Sequence, residues 1–232
     1  MIISHIFCNK LTKLLPVVLV LIMTNCWAEE KNVNPDINSY YYDAKFEQWL
    51  NTFESPGREV FDKKESILQE LKIKPGMRIA DIGAGTGFYS IAFAQQTGAT
   101  GLVYAVDISN DFIKNILLRA NNEGLANIKG IINNQKETGL TKNSIDLAFI
   151  CDTYHHFEYP LTTLQSVYQA LDAGGRLIII DFKRDPHIST SWVMNHVRAN
   201  KEKVIKEVES IGFKLIKDSD LLEGNFFLSF SK

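Results

Sequence analysis

From Met77 onward the chain alternates short apolar runs with longer amphipathic ones. Runs of strand length, rich in Ile, Val and Phe, occur at Arg78–Ile82, Leu102–Asp107, Lys129–Ile132, Ile145–Cys151, Arg176–Phe182, Phe213–Lys217 and Phe226–Phe230. Helix-period patterns lie between them at Phe88–Gln96, Asp111–Asn122, Leu161–Leu171 and roughly Thr190–Ser210, the last with Val197, Val204, Val208 and Ile211 on one face. The middle strands are apolar at consecutive rather than alternate positions, which predicts a sheet covered by helices on both faces. The alternation predicts a doubly wound, mainly parallel α/β sheet. Only DSDLLEGN separates the last two strands, too little for a crossover helix, so they are expected to pair antiparallel.

Upstream the pattern changes. Residues 40–75 carry YYYDAKFEQWL and then REVFDKKESILQEL, in which Val60, Ile67, Leu68 and Leu71 fall on one helical face before Lys74-Pro75-Gly76 stops it. This predicts a helical lead-in over 40–75, ahead of a domain at 76–232, with 29–39 as a polar linker. Residues 1–28 read as a signal peptide: Lys10 and Lys13 precede an apolar run, Leu14–Met23, and small residues at Cys26 and Ala28 suit cleavage after Ala28. The run is about half the ~20 residues needed to span a bilayer. The expectation is an exported protein, periplasmic or membrane-associated through that segment if it stays uncleaved or is lipidated at Cys26. Translation from Met23 would instead leave the protein cytoplasmic.

Composition narrows the partners. The formal charge is −2, and no cluster of Lys and Arg exceeds three residues, so a nucleic-acid partner gets no electrostatic support. Cys8, Cys26 and Cys151 have no CxxC spacing, which indicates neither a zinc site nor a disulfide framework.

Candidate chemistry begins where the first strand ends, in RIADIGAGTGFYS, residues 78–90. Gly83, Gly85 and Gly87 form a strand–turn–helix junction that presents backbone N–H groups and a positive helix end. A dinucleotide fingerprint GxGxxG needs glycine at position 88, where Phe88 stands. Asp81, two residues before the first glycine, would repel a pyrophosphate but suits a cationic amino group. Asp107, ending GLVYAVD one strand–helix–strand unit later, can accept both hydroxyls of a ribose. A ligand with ammonium, ribose and no phosphate is S-adenosylmethionine.

At these residues the chain resembles the class I S-adenosylmethionine-dependent methyltransferases, from about Val60 to the C-terminus. DIGAGTG is similar to that family's first motif and AVDIS to its second. The resemblance implies a Rossmann-like seven-stranded sheet in the order 3-2-1-4-5-7-6, with the last strand antiparallel. It also implies S-adenosylmethionine as cofactor: Asp81 would hold its methionine end, Gly83, Gly85 and Gly87 would let it lie close to the backbone, and Asp107 with Ile108 would hold the ribose. In place of the family's acid after the third strand stands IINNQKETGL, where Asn134 or Gln135 could hydrogen-bond adenine. DIGAGTG together with DTYHHF, IIIDF and HVR resembles a subgroup of these enzymes whose members often carry export signals.

Strand carboxyl ends collect ligands in open α/β sheets, so FICDTYHHFEYP, residues 149–160, is expected beside the sulfonium. Methyl transfer needs an aligned nucleophile and, if that carries a proton, a base. Asp152, Tyr154, His155 and His156 are the candidates. His155 is preferred as base, His156 is expected to pack in the scaffold, and Asp152 would orient the cofactor or a histidine. The histidine pair alone is too few for a metal, and spacing implies no third ligand, so no metal is expected. Further on, Trp192 and His196 share a helix face. Arg198 would either pair with Glu202 on a solvated face or join His196, Lys183 and Arg184 around an anionic substrate. The resemblance implies that Tyr41, Tyr42, Phe46 and Trp49 would form a lid over the cofactor; equally they read as the apolar face of a docking helix.

The expected activity is in-line transfer of a methyl group from S-adenosylmethionine to a small-molecule or lipid-like acceptor, by a monomer or homodimer. An aminopropyl transferase would want acids where TYHHF supplies histidines. A binding module of the same fold without chemistry is the alternative from another class, and an export signal favours it because the cofactor is made in the cytoplasm.

Overall fold

The computed structural model describes residues 29–232; the expected signal segment, with Cys8 and Cys26, lies outside the described residues. The lead-in is a chain of short helices, α1 (Ser39–Tyr42), α2 (Phe46–Phe53), α3 (Glu59–Asp62) and α4 (Lys64–Leu71). The apolar stripe read there is real, since Val60, Ile67, Leu68 and Leu71 are all buried, although the backbone breaks between α3 and α4 at Lys63.

The elements that follow are β1 (Arg78–Ile82), α5 (Phe88–Thr97), β2 (Leu102–Asp107), α6 (Asn110–Asn122), β3 (Ile128–Ile132), β4 (Ile145–Cys151), a 3₁₀ turn (Tyr154–His156), α7 (Pro160–Ala170), β5 (Leu171–Phe182), α8 (Ser191–His196), α9 (Lys201–Ser210), β6 (Lys214–Ser219) and β7 (Asn225–Ser231). They form one seven-stranded sheet in the order β3-β2-β1-β4-β5-β7-β6. Pairing is parallel from β3 through β5, and β7 runs antiparallel to both β5 and β6. β7 can insert beside β5 because the short β6–β7 connection reverses the chain without a crossover.

Continuous apolar strands are explained by two cores, one on each face. Ile79, Leu147, Phe149, Ile178, Ile180 and Phe227 face one core, packed under α4, α5 and α6. Their strand neighbours Ala80, Ala148, Ile150, Leu177, Ile179 and Leu228 face the other, under α7 and α9. Because side chains alternate along a strand, the central strands feed both layers, and the buried acids Asp81, Asp107 and Asp181 stand at or next to strand carboxyl ends.

One expected element is corrected. The helix read over 190–210 is two helices, because Thr190 and Asn200 each accept the backbone N–H three residues on, from Val193 and Lys203, and so start separate helices. Val197 to Asn200 between them is extended at both ends, and Val197 and Ala199 are buried. Arg198 therefore has no i, i+4 relation to Glu202.

Candidate active site

β1 and β2 pair in parallel with Ile82 opposite Val106, so their carboxyl ends lie side by side. Asp81 and Asp107 thus come to one place from 26 residues apart in sequence, on the numbering of the chain. The glycine turn connects them. Gly83 and Ala84 donate their N–H groups to the Val106 carbonyl, and Gly85 donates to Asp107 Oδ2 at 2.9 Å. Two glycines are obligatory here. Gly83 has φ +74°, and a Cβ would lie 2.2 Å from Thr153 Cγ2; Gly87, which opens α5, has φ +81° and would place a Cβ 2.6 Å from Ile116 Cγ1.

The turn forms the floor of a cleft of about 1030 Å³, its open mouth included. Asp81, Asp107 and Ile108 line it, with Gly83 and Gly85 between them and Phe88 in the position that a dinucleotide fingerprint gives to glycine. Asp81 is 3% exposed and accepts the Ser90 hydroxyl at 2.6 Å. Burial pushes its pKa up to about 7, against the lowering pull of Ser90, and the nearby Asp107 adds to the rise. Asp107 also accepts the Ser109 N–H at 2.9 Å, and burial pushes it up to about 6 in spite of its backbone donors. Among the described residues no cation contributes to either shift. Two buried carboxylates with no cation paired to either among the described residues, in a cleft whose lining Arg58 is held by Asp152, suit a positively charged ligand with hydroxyl groups.

The end of β3 supplies the next wall. Asn134 and Gln135 both line the cleft, but both are engaged elsewhere. Asn134 Oδ1 closes a turn by accepting the N–H groups of Lys136 and Glu137. Gln135 bridges Asn38 and the Tyr42 hydroxyl. Asn133 was missed by sequence reasoning: it lines the cleft, and its Oδ1 is enclosed with no hydrogen-bond partner among the described residues. A one-residue difference at a strand end decided this, and periodicity does not resolve it.

The lead-in closes the cleft with residues other than those expected. Tyr41 and Phe53 line it, whereas Trp49 is wedged between them and Tyr42 is 53% exposed with its hydroxyl on Gln135. Phe46 is buried with Ala44 and Phe112. Arg58 was also unforeseen. It donates to the Phe53 carbonyl and to Asp152 Oδ2, both at 2.8 Å, while Asn225 of β7 donates to Asp152 Oδ1 at 2.6 Å. Asp152 lies at φ +48° in the cleft wall, pinned from both sides. Burial raises its pKa despite Arg58.

The preference between the two adjacent histidines is reversed. His155 is buried away from the cleft, its Nδ1 2.7 Å from Asp181 Oδ1 and its N–H donated to Asp181 Oδ2. His156 lines the cleft, with its ring against Tyr41 at 5.1 Å between centroids. Its pKa is pushed down to about 2 by burial and by His155 and His196 beside it, so the ring is neutral throughout the physiological range. Tyr154 is fully buried and donates to Glu207 at 2.6 Å. Arg198 forms a bidentate pair with the same Glu207 at 2.9 and 3.0 Å and lies over the Tyr154 ring. Tyr154 and Arg198 therefore anchor α9 and do not face the cleft. The anionic-substrate cluster is not formed either: Lys183 donates to the carbonyls of Leu222 and Glu223, and Arg184 to that of Met194. His196 instead stacks on Trp192 and meets His155 and His156 at 5.1 and 5.2 Å, a third imidazole that sequence spacing did not reveal.

A sheet of this order, with a glycine turn and two strand-end carboxylates around one cleft, has the architecture of the class I methyltransferases. Residues 73–220 match the family described as a methyltransferase domain, and the chain belongs to that family, which implies S-adenosylmethionine as its cofactor. Among curated proteins it is similar to the ubiquinone/menaquinone biosynthesis C-methyltransferase UbiE of Hydrogenovibrio crunogenus, 30% identical over 122 residues, 52% of this chain and 48% of that one. It is 25% identical over 118 residues to the demethylmenaquinone methyltransferase of Geobacillus kaustophilus, 51% and 50% of the two chains. The chain thus spans about half the length of the curated relatives it matches. Its fold is similar to that of a SAM-dependent methyltransferase from Aquifex aeolicus, with TM-score 0.71 and 24% identity over 79% of this chain and 97% of the other. The [4+2]-cyclase SpnF shares the fold at TM-score 0.65 and 14% identity, over 77% and 84%.

Proposed function

We propose that the protein binds S-adenosylmethionine in this cleft and transfers its methyl group to a small, lipid-like acceptor. The observation that carries the reading is the convergence of Asp81 and Asp107 at the glycine turn, both buried and neither paired with a cation among the described residues. The residues present fit the cofactor. Asp81 suits its ammonium group and Asp107 its ribose hydroxyls, each Asp107 oxygen keeping a lone pair beyond the one given to the loop. The unpartnered Asn133 Oδ1 suits the adenine amino group, in preference to Asn134 or Gln135.

The cofactor supplies a methyl group already activated on a positively charged sulfur. The protein's part is to exclude water and align the acceptor. Tyr41 and Phe53 cover the cleft, and the Arg58–Asp152–Asn225 chain ties the lead-in to the sheet beside it. His156 is the imidazole that faces the cleft, but a ring with its pKa near 2 is a weak base, so the reading places alignment ahead of proton removal. An acceptor carbon or an already ionised oxygen fits that division. The half-length similarity to enzymes named for ubiquinone and menaquinone methylation supports a quinone-like acceptor.

Calorimetry with S-adenosylhomocysteine and with NAD⁺, followed by turnover of methyl-labelled S-adenosylmethionine against a panel of quinols, tests the reading. Binding of the dinucleotide in place of the sulfur nucleoside would overturn it. We also propose that residues 1–28 direct export, which sequencing the N-terminus of the natively expressed protein decides.

A further inference from the structure

We propose that His155, His156 and His196 form a binding site for one divalent transition-metal ion of the zinc class. The two adjacent residues come from the 3₁₀ turn after β4, and His196 ends α8, forty residues later. One ring nitrogen from each lies within 4.8 Å of the other two.

The surroundings are those of a ligand set. Asp181 holds His155 Nδ1 at 2.7 Å and is itself oriented by the N–H groups of His155 and Phe182. That leaves Nε2 of His155 as the free donor, the carboxylate–imidazole arrangement that fixes tautomer and ring orientation behind metal-bound histidines. His156 Nδ1 is enclosed and has no hydrogen-bond partner among the described residues, so a buried polar atom points to something the protein itself does not provide. Aromatic rings form the outer shell: Tyr41 against His156, Phe182 against His155, and Trp192 stacked on His196 at 4.6 Å. Zinc–nitrogen bonds of about 2.0–2.1 Å at tetrahedral angles put ligand atoms about 3.3 Å apart. The set has to close by up to about 1.5 Å on that scale. α8, six residues long and carrying a Trp192 that is 55% exposed, is the element whose shift would close it.

Imidazole donors select Zn²⁺, Co²⁺, Ni²⁺ or Cu²⁺ over Mg²⁺ and Ca²⁺. Three of them leave one tetrahedral position for water or an oxygen of a bound molecule. Through His156 the site adjoins the cleft wall. The proposal stands on the histidine geometry and is independent of the methyl-transfer reading, since it is tested by binding alone.

The untagged full-length chain, stripped with a chelator, is titrated with Zn²⁺ against a chromophoric chelator and separately with Co²⁺. The expected result is one Zn²⁺ per chain with submicromolar affinity, and visible Co²⁺ bands of four- or five-coordinate intensity. His196→Ala, on the short exposed helix, is expected to weaken Zn²⁺ binding at least 100-fold, and Asp181→Asn about 10–100-fold. His187→Ala, outside the cluster, leaves it unchanged. Circular dichroism and the midpoint of urea denaturation report whether each variant is folded. Binding well below one equivalent, a six-coordinate Co²⁺ spectrum, or equal Zn²⁺ affinity in the wild type and a folded His196→Ala variant would overturn the proposal.

Discussion

Asp107→Ala separates a ligand-binding carboxylate from a loop-supporting one, because the structure gives Asp107 both tasks. Its Oδ2 accepts from Gly85 and its Oδ1 from Ser109, each at 2.9 Å. Each oxygen retains a lone pair, and a nucleoside ribose offers two hydroxyls to them. Hydrogen bonds to a charged acceptor contribute about 1.5–3 kcal/mol each, and water recovers part of that in the variant. A loss of about 1–3 kcal/mol is expected, or roughly 5–150-fold in Kd. Calorimetry at pH 8, where both strand-end acids are ionised, measures it with S-adenosylhomocysteine. The discriminating ligand is the 2′,3′-dideoxy analogue, which lacks the groups that Asp107 is said to hold. It should bind the wild type more weakly than the parent does and bind Asp107→Ala no worse than it binds the wild type. If the substitution weakens the analogue as much as the parent, Asp107 acts only through the loop, and its assignment to the ribose is refuted.

Other outcomes follow from the same geometry. Asp81 has a folded-state pKa near 7 against an ordinary value of 3.8, so the ligand-free fold holds a proton that the unfolded chain has released. Its contribution to stability is present below about pH 4 and is lost as pH rises through 7. Asp81→Asn should flatten that fall, read as the difference between wild-type and variant denaturation midpoints from pH 4 to 8; parallel pH profiles would contradict the buried-acid argument. Gly83→Ala forces a side chain into a φ of +74° and against Thr153, and should destabilise the fold by about 2–4 kcal/mol in urea denaturation, with an unchanged midpoint counting against the cradle. Arg198→Ala leaves Glu207 without its cation and should cost about 3 kcal/mol in the same assay, while Tyr154→Phe, which removes one hydrogen bond, should cost about 1 kcal/mol. Equal losses from the two would contradict the arrangement in which Glu207 is shared.

Much of this molecule was legible in one dimension. Apolar run lengths, a short final connection and the glycine turn are local properties, and they determined a doubly wound sheet with an antiparallel end. Asp81 and Asp107 could be read as a pair because parallel neighbours in one sheet bring their carboxyl ends together whatever else the chain does. The two-helix break at 197–200 was visible in principle, since Asn200 is a capping residue, but a continuous valine stripe outweighed it.

What the sequence could not determine was which side chain faces which way after a strand has ended. The 3₁₀ turn after β4 has no two-fold or 3.6-fold period to assign His155 inward and His156 to the cleft. Asn133 differs from Asn134 by one residue of strand-end geometry. Arg58 reaches Asp152 across 94 residues, and His196 reaches His155 across 41. Such partners are chosen by the packing of separate layers, where distance in space is unrelated to distance along the chain. The sheet and its paired strand-end carboxylates are therefore properties of local pattern, while the aromatic wall of the cleft, the cleft-facing imidazole and the histidine cluster exist only once the layers have closed on one another.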